Sequence, residues 1–164
     1  MHEYFRPSLS FWPVVVSRTS LRRVVLCSLF LAMCLLVLPA PAGETPGFRV
    51  IVNAQNPVSS VKTSFVADSF LKKVSEWGDG QGIKPVDQKS SSETRRLFST
   101  TILGRSVAAV RTYWQQRVFS GRGVPPPELD GDTEVVRYVS ANRGAIGYVS
   151  DAASLDGVKM VSLH

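Results

Sequence analysis

From Val24 to Leu38 the chain runs fifteen residues without a charge, and that run decides how much of the 164 residues is left to build a domain. Arg18, Arg22 and Arg23 precede it, and Pro39 to Gly43 follow with small, helix-breaking residues in which Ala40-Pro41-Ala42 fits an A-x-A cleavage site. The pattern predicts a signal peptide over residues 1–42 and one exported, periplasmic domain over 43–164. A retained transmembrane anchor is the rival reading, although a span needs about 20 apolar residues and this run is shorter. Lipidation at Cys34 is a second rival, with Met33 standing where a small residue is expected.

Much of the basic character belongs to this leader. The whole chain carries +6, but residues 43–164 hold 15 basic against 12 acidic side chains, or +3, with no run of five like charges. That balance suits an anionic ligand and gives no footprint for nucleic acid. Both cysteines, Cys27 and Cys34, lie in the apolar run, and the two histidines are His2 and His164. The exported part therefore has no disulfide, thiol nucleophile or thiolate metal site, and neither a Ser-His-Asp triad nor a histidine metal site is expected. Asp79, Asp87, Glu93 and Asp132 sit near turns and helix starts, where carboxylates cap and match the helix dipole. The expectation is no enzyme and no cofactor.

Along the exported part, Phe48 to Asn53 reads as a buried strand that turns at Asn56-Pro57. Ser59 or Ser60 is expected to cap a first helix whose stripe runs Val66, Phe70, Val74 and Trp77. Ile83 to Val86 is a short strand, and the polar stretch Asp87 to Ser92 leads into a second helix carrying Leu97, Phe98, Ile102 and Leu103, ended by Gly104. Ser106 starts a third helix with Val107, Val110, Trp114 and Val118 on one inward face, closing at Ser120-Gly121-Arg122-Gly123. Pro125 to Pro127 make a stiff extended connector, and Asp132 or Thr133 is expected to cap a fourth helix bearing Val135, Val136 and Val139. Ala145 to Val149 is a strand, and Val158 to Leu163 a final one after Gly157. Alternating strands and helices imply an α/β fold, a small mixed sheet flanked by about four helices.

The order of these pieces resembles the phosphate-binding family of type 2 periplasmic binding proteins. Val50-Ile-Val-Asn-Ala-Gln-Asn-Pro57 is similar to the family's strand before its first lobe helix. Phe70-Leu-Lys-Lys-Val, then Trp77 and Asp79-Gly80, resembles its F-x-G-x-x-x-x-W-x-D-G element, with Lys72 in place of the glycine. Pro85-Val-Asp-Gln, Phe98, Tyr113-Trp114, Phe119-x-Gly121 and Gly144-Ala-Ile-Gly-Tyr-Val149 continue the likeness in order. The resemblance implies one lobe of that fold.

It also implies an oxyanion site at a helix N-terminus, where free N–H groups and the positive end of the dipole meet the ligand. The family's Ser-Gly-Thr turn corresponds to Ser92-Glu93-Thr94. The expected ligand-binding residues are Ser91, Ser92 and Thr94, with Arg122 from a second, glycine-rich family loop that resembles Gly121-Arg122-Gly123-Val124. Two departures stand out: Glu93 replaces the glycine, and Gln88 stands at the family's arginine position, losing a bidentate contact. On the plainer reading Ser92 and Thr94 are helix caps and Arg122 is a solvated turn residue.

About 120 residues match one of the two lobes that close over a ligand in that family. The function expected is an exported substrate-binding-protein-like domain related to phosphate uptake by an ABC transporter, with phosphate or a similar oxyanion as ligand and an ABC permease as partner. The alternative is a periplasmic protein-interaction module of the same fold that has lost its small ligand. Contact with the membrane is expected only during export.

Overall fold

Strand β1, Phe48–Asn53, is apolar at successive positions because it lies inside a sheet covered on both faces, so alternation gives way to a continuous run. In the computed structural model, which describes residues 47–164, it sits between two antiparallel neighbours, β6 (Ala145–Ser150) and β7 (Val158–Met160). The register pairs Phe48 with Ser150 and Val52 with Ile146. β3 (Lys84–Pro85) runs parallel to β6 on its far side, giving a mixed sheet in the order β3-β6-β1-β7. Two short parallel pairs flank it: β2 (Ser60–Val61) with β8 (Ser162–Leu163), and β4 (Asp87–Gln88) with β5 (Glu128–Leu129). The expected signal peptide lies outside the described residues.

Side-chain alternation divides the core between the two faces of this sheet. Val50, Val52, Ile146 and Tyr148 point to one face and meet helices α1 (Thr63–Phe70), α2 (Glu93–Thr101) and α3 (Val107–Phe119). There the Phe98 and Tyr148 rings stack 3.9 Å apart and 5° from parallel, with Phe70 4.6 Å from Phe98. Ile51, Ala145 and Val149 point to the other face, against Val135 and Val139 of α4 (Asp132–Ala141). Gly147 allows that approach: a Cβ there would lie 2.7 Å from Val135 Cγ1 and 3.1 Å from Val139 Cγ2.

The α/β fold with a mixed sheet and four helices among the described residues is the one expected, while several boundaries differ. Ser60 is in β2 rather than at a cap, and α1 starts after Lys62 without a side-chain cap. It ends at Phe70, so Val74 and Trp77 do not continue a helical stripe. The stop is a Schellman turn in which Lys73 N–H reaches Asp68 O at 2.8 Å, Lys72 N–H reaches Ser69 O at 3.1 Å, and Lys72 takes φ 50°. Trp77 nevertheless reaches the core, because its Nε1–H donates to Gly144 O at 3.0 Å.

Neither Asp132 nor Thr133 caps α4; Gly131 at φ 80° does, and Asp132 turns inward. The proline connector returns to the body through β5, and Val161 divides the expected last strand into β7 and β8. Val118 is 48% exposed, because the last turn of α3 runs past the body it packs on.

Candidate functional site

The first turn of α2 is set by its cap. Ser92 has extended backbone, its Oγ accepts the Arg95 N–H at 3.3 Å, and it donates to Gln88 Oε1 at 2.6 Å. Among the described residues the N–H groups of Glu93 and Thr94 donate to no protein acceptor, as expected of a helix start. Glu93 is drawn back along the helix by Arg96, whose Nε donates to it at 2.8 Å, and this bond holds the Glu93 carboxyl below its ordinary value. Both side chains are exposed.

Gln88 takes a constructive role where a lost arginine was expected. It is buried, and its amide has partners at both ends: Oε1 accepts from Ser92, and Nε2 donates to Asp132 Oδ1 at 2.8 Å and Tyr148 O at 3.1 Å. Asp132 in turn accepts the Ser150 N–H at 3.0 Å and hydroxyl at 2.5 Å. One side-chain amide thus joins the starts of α2 and α4 to the end of β6.

Behind it lies a buried charge. Asp87, expected at a cap or helix start, is 3% exposed, forms an ion pair with Arg95 and accepts hydrogen bonds from the Tyr148 hydroxyl and from Gln88 N–H. Both hydrogen bonds go to Oδ1, while Oδ2 faces the Arg95 guanidinium, so the buried charge is compensated by its counter-ion. Burial pushes the Tyr148 hydroxyl up to about 12, against the opposing pull of Arg95, and burial also lowers Arg95. Arg95 keeps an Nε that is buried without a hydrogen-bond partner.

Arg95 and Asp87 form part of the floor of a groove of about 570 Å³. One wall is α3, through Arg111, Trp114 and Val118; the other is the connector, through Pro125 and Pro126, ending at Glu128. Arg117 lies over the Tyr113 and Trp114 rings at 5.5 and 5.9 Å, and Arg105 over Tyr113 at 5.4 Å, so stacking engages two of the arginines around α3. Among the described residues no cluster of three His, Asp or Glu side chains could hold a metal.

The expected ligand residues divide accordingly. Ser91 is exposed in the loop before α2, and Ser92 and Thr94 are partly buried at its first turn. Arg122 is exposed in the turn after α3, where its N–H donates to Arg117 O at 2.9 Å and its carbonyl accepts from Arg117 Nη2 at 2.8 Å. None of the four lines the groove. The groove residues Asp87, Arg95 and Glu128 carry no common spacing in the sequence. A buried arginine beside an exposed one, Arg95 against Arg96, has no signature except its place on the helix face that holds Phe98.

No protein-family model matches the chain, and no curated protein matches it. Solved structures do. An ABC-type phosphate transport receptor from Vibrio cholerae matches with 19% identity and a TM-score of 0.56, over 72% of this chain and 46% of that one. A phosphate ABC transporter substrate-binding protein with bound phosphate from Clostridium perfringens matches with 24% identity and a TM-score of 0.57, over 72% and 45%. This chain has the fold of those receptors. PstS from Borrelia burgdorferi shares the fold at 11% identity and a TM-score of 0.56, over 73% and 47%. The chain spans less than half the length of each receptor, and the resemblance of motif order stated above is matched by a resemblance of fold.

Proposed function

We propose that residues 43–164 are an exported, periplasmic substrate-binding-protein-like domain of phosphate-type uptake, working with an ABC permease and taking an oxyanion at the first turn of α2. The role is binding, without chemistry on the ligand. The observation that carries this reading is the start of α2 in a receptor fold: among the described residues the amides of Glu93 and Thr94 have no protein partner, and Ser92 is fixed beside them by Gln88. Glu93 is compatible with this because Arg96 holds its carboxylate one turn back along the helix. Arg122 and Ser91 are the further contacts proposed, both exposed.

The test is thermal unfolding of the full chain with phosphate, sulfate and no added anion. A ligand that binds only the folded state raises the midpoint, by about 2.7 kcal/mol of stability at a hundredfold excess over Kd. A phosphate-selective rise that Thr94→Ala diminishes is the expected result; no rise at millimolar phosphate rejects the reading.

One observation favours the second reading, an interaction module without a small ligand. Val118, Phe119 and Val124 are 48%, 90% and 61% exposed within seven residues of chain, an apolar tip that a protein partner would cover. Crosslinking through a photoreactive group at Val124, giving a discrete adduct with a periplasmic protein that Phe119→Ser in the same chain abolishes, would support it.

A further inference from the structure

We propose that the C-terminal end of α3, an apolar tip set among arginines, docks on the surface of an anionic lipid bilayer. This goes beyond the binding of an oxyanion and does not depend on it.

The charge comes from a one-sided stretch of sequence. Between Glu93 and Glu128 the chain holds Arg95, Arg96, Arg105, Arg111, Arg117 and Arg122, with no lysine and no acidic residue. Arg95 pairs with Asp87 and Arg96 with Glu93, whereas among the described residues the other four are in no ion pair. Three of these are drawn together. Arg105 and Arg117 lie over the same Tyr113 ring at 5.4 and 5.5 Å, and Arg117 Nη2 donates to Arg122 O at 2.8 Å. Arg111 lines the groove with Val118 and Phe119. An anionic lipid surface favours each such charge by about fivefold in binding.

The apolar half is a braced point. Val118, Phe119 and Val124 are 48%, 90% and 61% exposed. Gly121, at φ 68°, stops α3 and its N–H reaches Val118 O at 3.0 Å, while the Arg122 N–H returns to Arg117 O at 2.9 Å. Backbone bonds thus hold the turn, and its side chains meet a partner with little further ordering.

Lipid suits this combination better than a protein or a soluble polyanion. Three apolar side chains supply much less than the about 800 Å² per partner of a standard protein interface. An interfacial anchor needs only apolar groups that reach below the headgroups, and a basic cluster beside them is the second signal that makes attachment stable. A nucleic acid would answer the arginines and leave Phe119 in water. The second reading above seats a protein on this same tip; lipid answers both its charge and its apolar end.

The experiment reads position, because the apolar run Val24 to Leu38 can itself bring the full chain to lipid. A photoreactive side chain at Val124 of the full chain is irradiated with vesicles of phosphatidylcholine alone, or of equal parts phosphatidylcholine and phosphatidylglycerol, and lipid adducts are read by mass spectrometry. The expected result is an adduct with the mixed vesicles, lowered about fivefold or more with phosphatidylcholine alone and about fivefold in Arg122→Gln. Phe119→Ser should lower it about tenfold or more. Both substitutions are at exposed positions, and unchanged unfolding midpoints confirm that the variants fold. The same probe at the exposed Arg137 of α4, which packs on the opposite face of the sheet from α3, should give no adduct above background.

No lipid adduct at Val124, equal yields from the two kinds of vesicle, or equal yields at Val124 and Arg137 overturns the proposal. A covalent dimer at Val124 would make a second copy the occupant, and a protein adduct on cell membranes would make it the partner of the second reading; either rejects lipid. Sodium phosphate should lower the yield no more than sodium chloride of equal ionic strength. A larger loss would trace the contact to headgroup phosphate at the start of α2 and reject the tip as the docking surface. None of these outcomes alters the phosphate-dependent rise in midpoint expected above, so the two readings fail separately.

Discussion

Replacing Lys72 by glycine should make the protein more stable, although it removes a side chain and adds none. Lys72 is the one non-glycine residue with positive φ among the described residues, and it holds the pivotal position of the Schellman turn that ends α1. A side chain in the left-handed region costs about 1–2 kcal/mol through the clash of Cβ with the following carbonyl. Glycine removes that cost but has more unfolded freedom to lose, about 0.5–1 kcal/mol. The difference is a gain of about 0.5–1 kcal/mol, and for a domain of this size a rise in the unfolding midpoint of about 2–5 °C. The Lys72 side chain is exposed and makes no hydrogen bond or ion pair among the described residues, so no contact there offsets the gain. Urea unfolding followed by circular dichroism, with Lys72→Ala as control, measures it: alanine keeps the Cβ and should leave stability within a few tenths of a kcal/mol. A Lys72→Gly midpoint at or below that of Lys72→Ala would refute the argument that backbone conformation, and not side-chain contact, governs this position.

Two further predictions concern the buried network. Arg95→Met leaves Asp87 without its counter-charge at 3% exposure, and urea unfolding should show a loss of about 3 kcal/mol or more, of which Asp87→Asn in the same chain restores part. Tyr148 has its folded pKa raised to about 12 against about 10 in an unfolded chain, so its contribution is fully present below pH 10 and is lost as pH rises toward 12. Stability should therefore fall by about 2–3 kcal/mol over that window, more steeply than in Tyr148→Phe; equal slopes for the two proteins would show that other groups dominate the alkaline transition.

The elements that could be read from the sequence are those whose local pattern and tertiary setting agree. Phe48–Asn53 is such a case, since continuous burial leaves a continuous β-branched run, and α3 is another, since Ser106 supplies the cap hydroxyl that Ala109 N–H uses at 3.2 Å. Where the pattern misled, a long-range partner decided the outcome. The stripe through Val74 and Trp77 has helical spacing, yet the chain leaves the helix at Lys72 and delivers Trp77 to the core through Gly144. Asp132 has the form of a cap, and Ser150, eighteen residues on, claims its carboxylate. The Ser92-Glu93-Thr94 turn was visible as a helix start, while Gln88, Arg95 and Tyr148 gain their roles only when α2, β4 and β6 are brought together.

The groove has an unequal ancestry within the chain. Its floor is anchored in the sheet-side network through Asp87 and Arg95, but its walls and mouth come from a single uninterrupted stretch, Val107 to Glu128. That stretch lies between α2 and β5 in the chain and contributes no strand to the four-stranded sheet. Its exposed positions can vary while Val110 and Trp114, which lie in the core with Phe98 and Tyr148, and Tyr113, whose hydroxyl donates to Leu71 O at 2.9 Å, keep the stretch seated on the sheet.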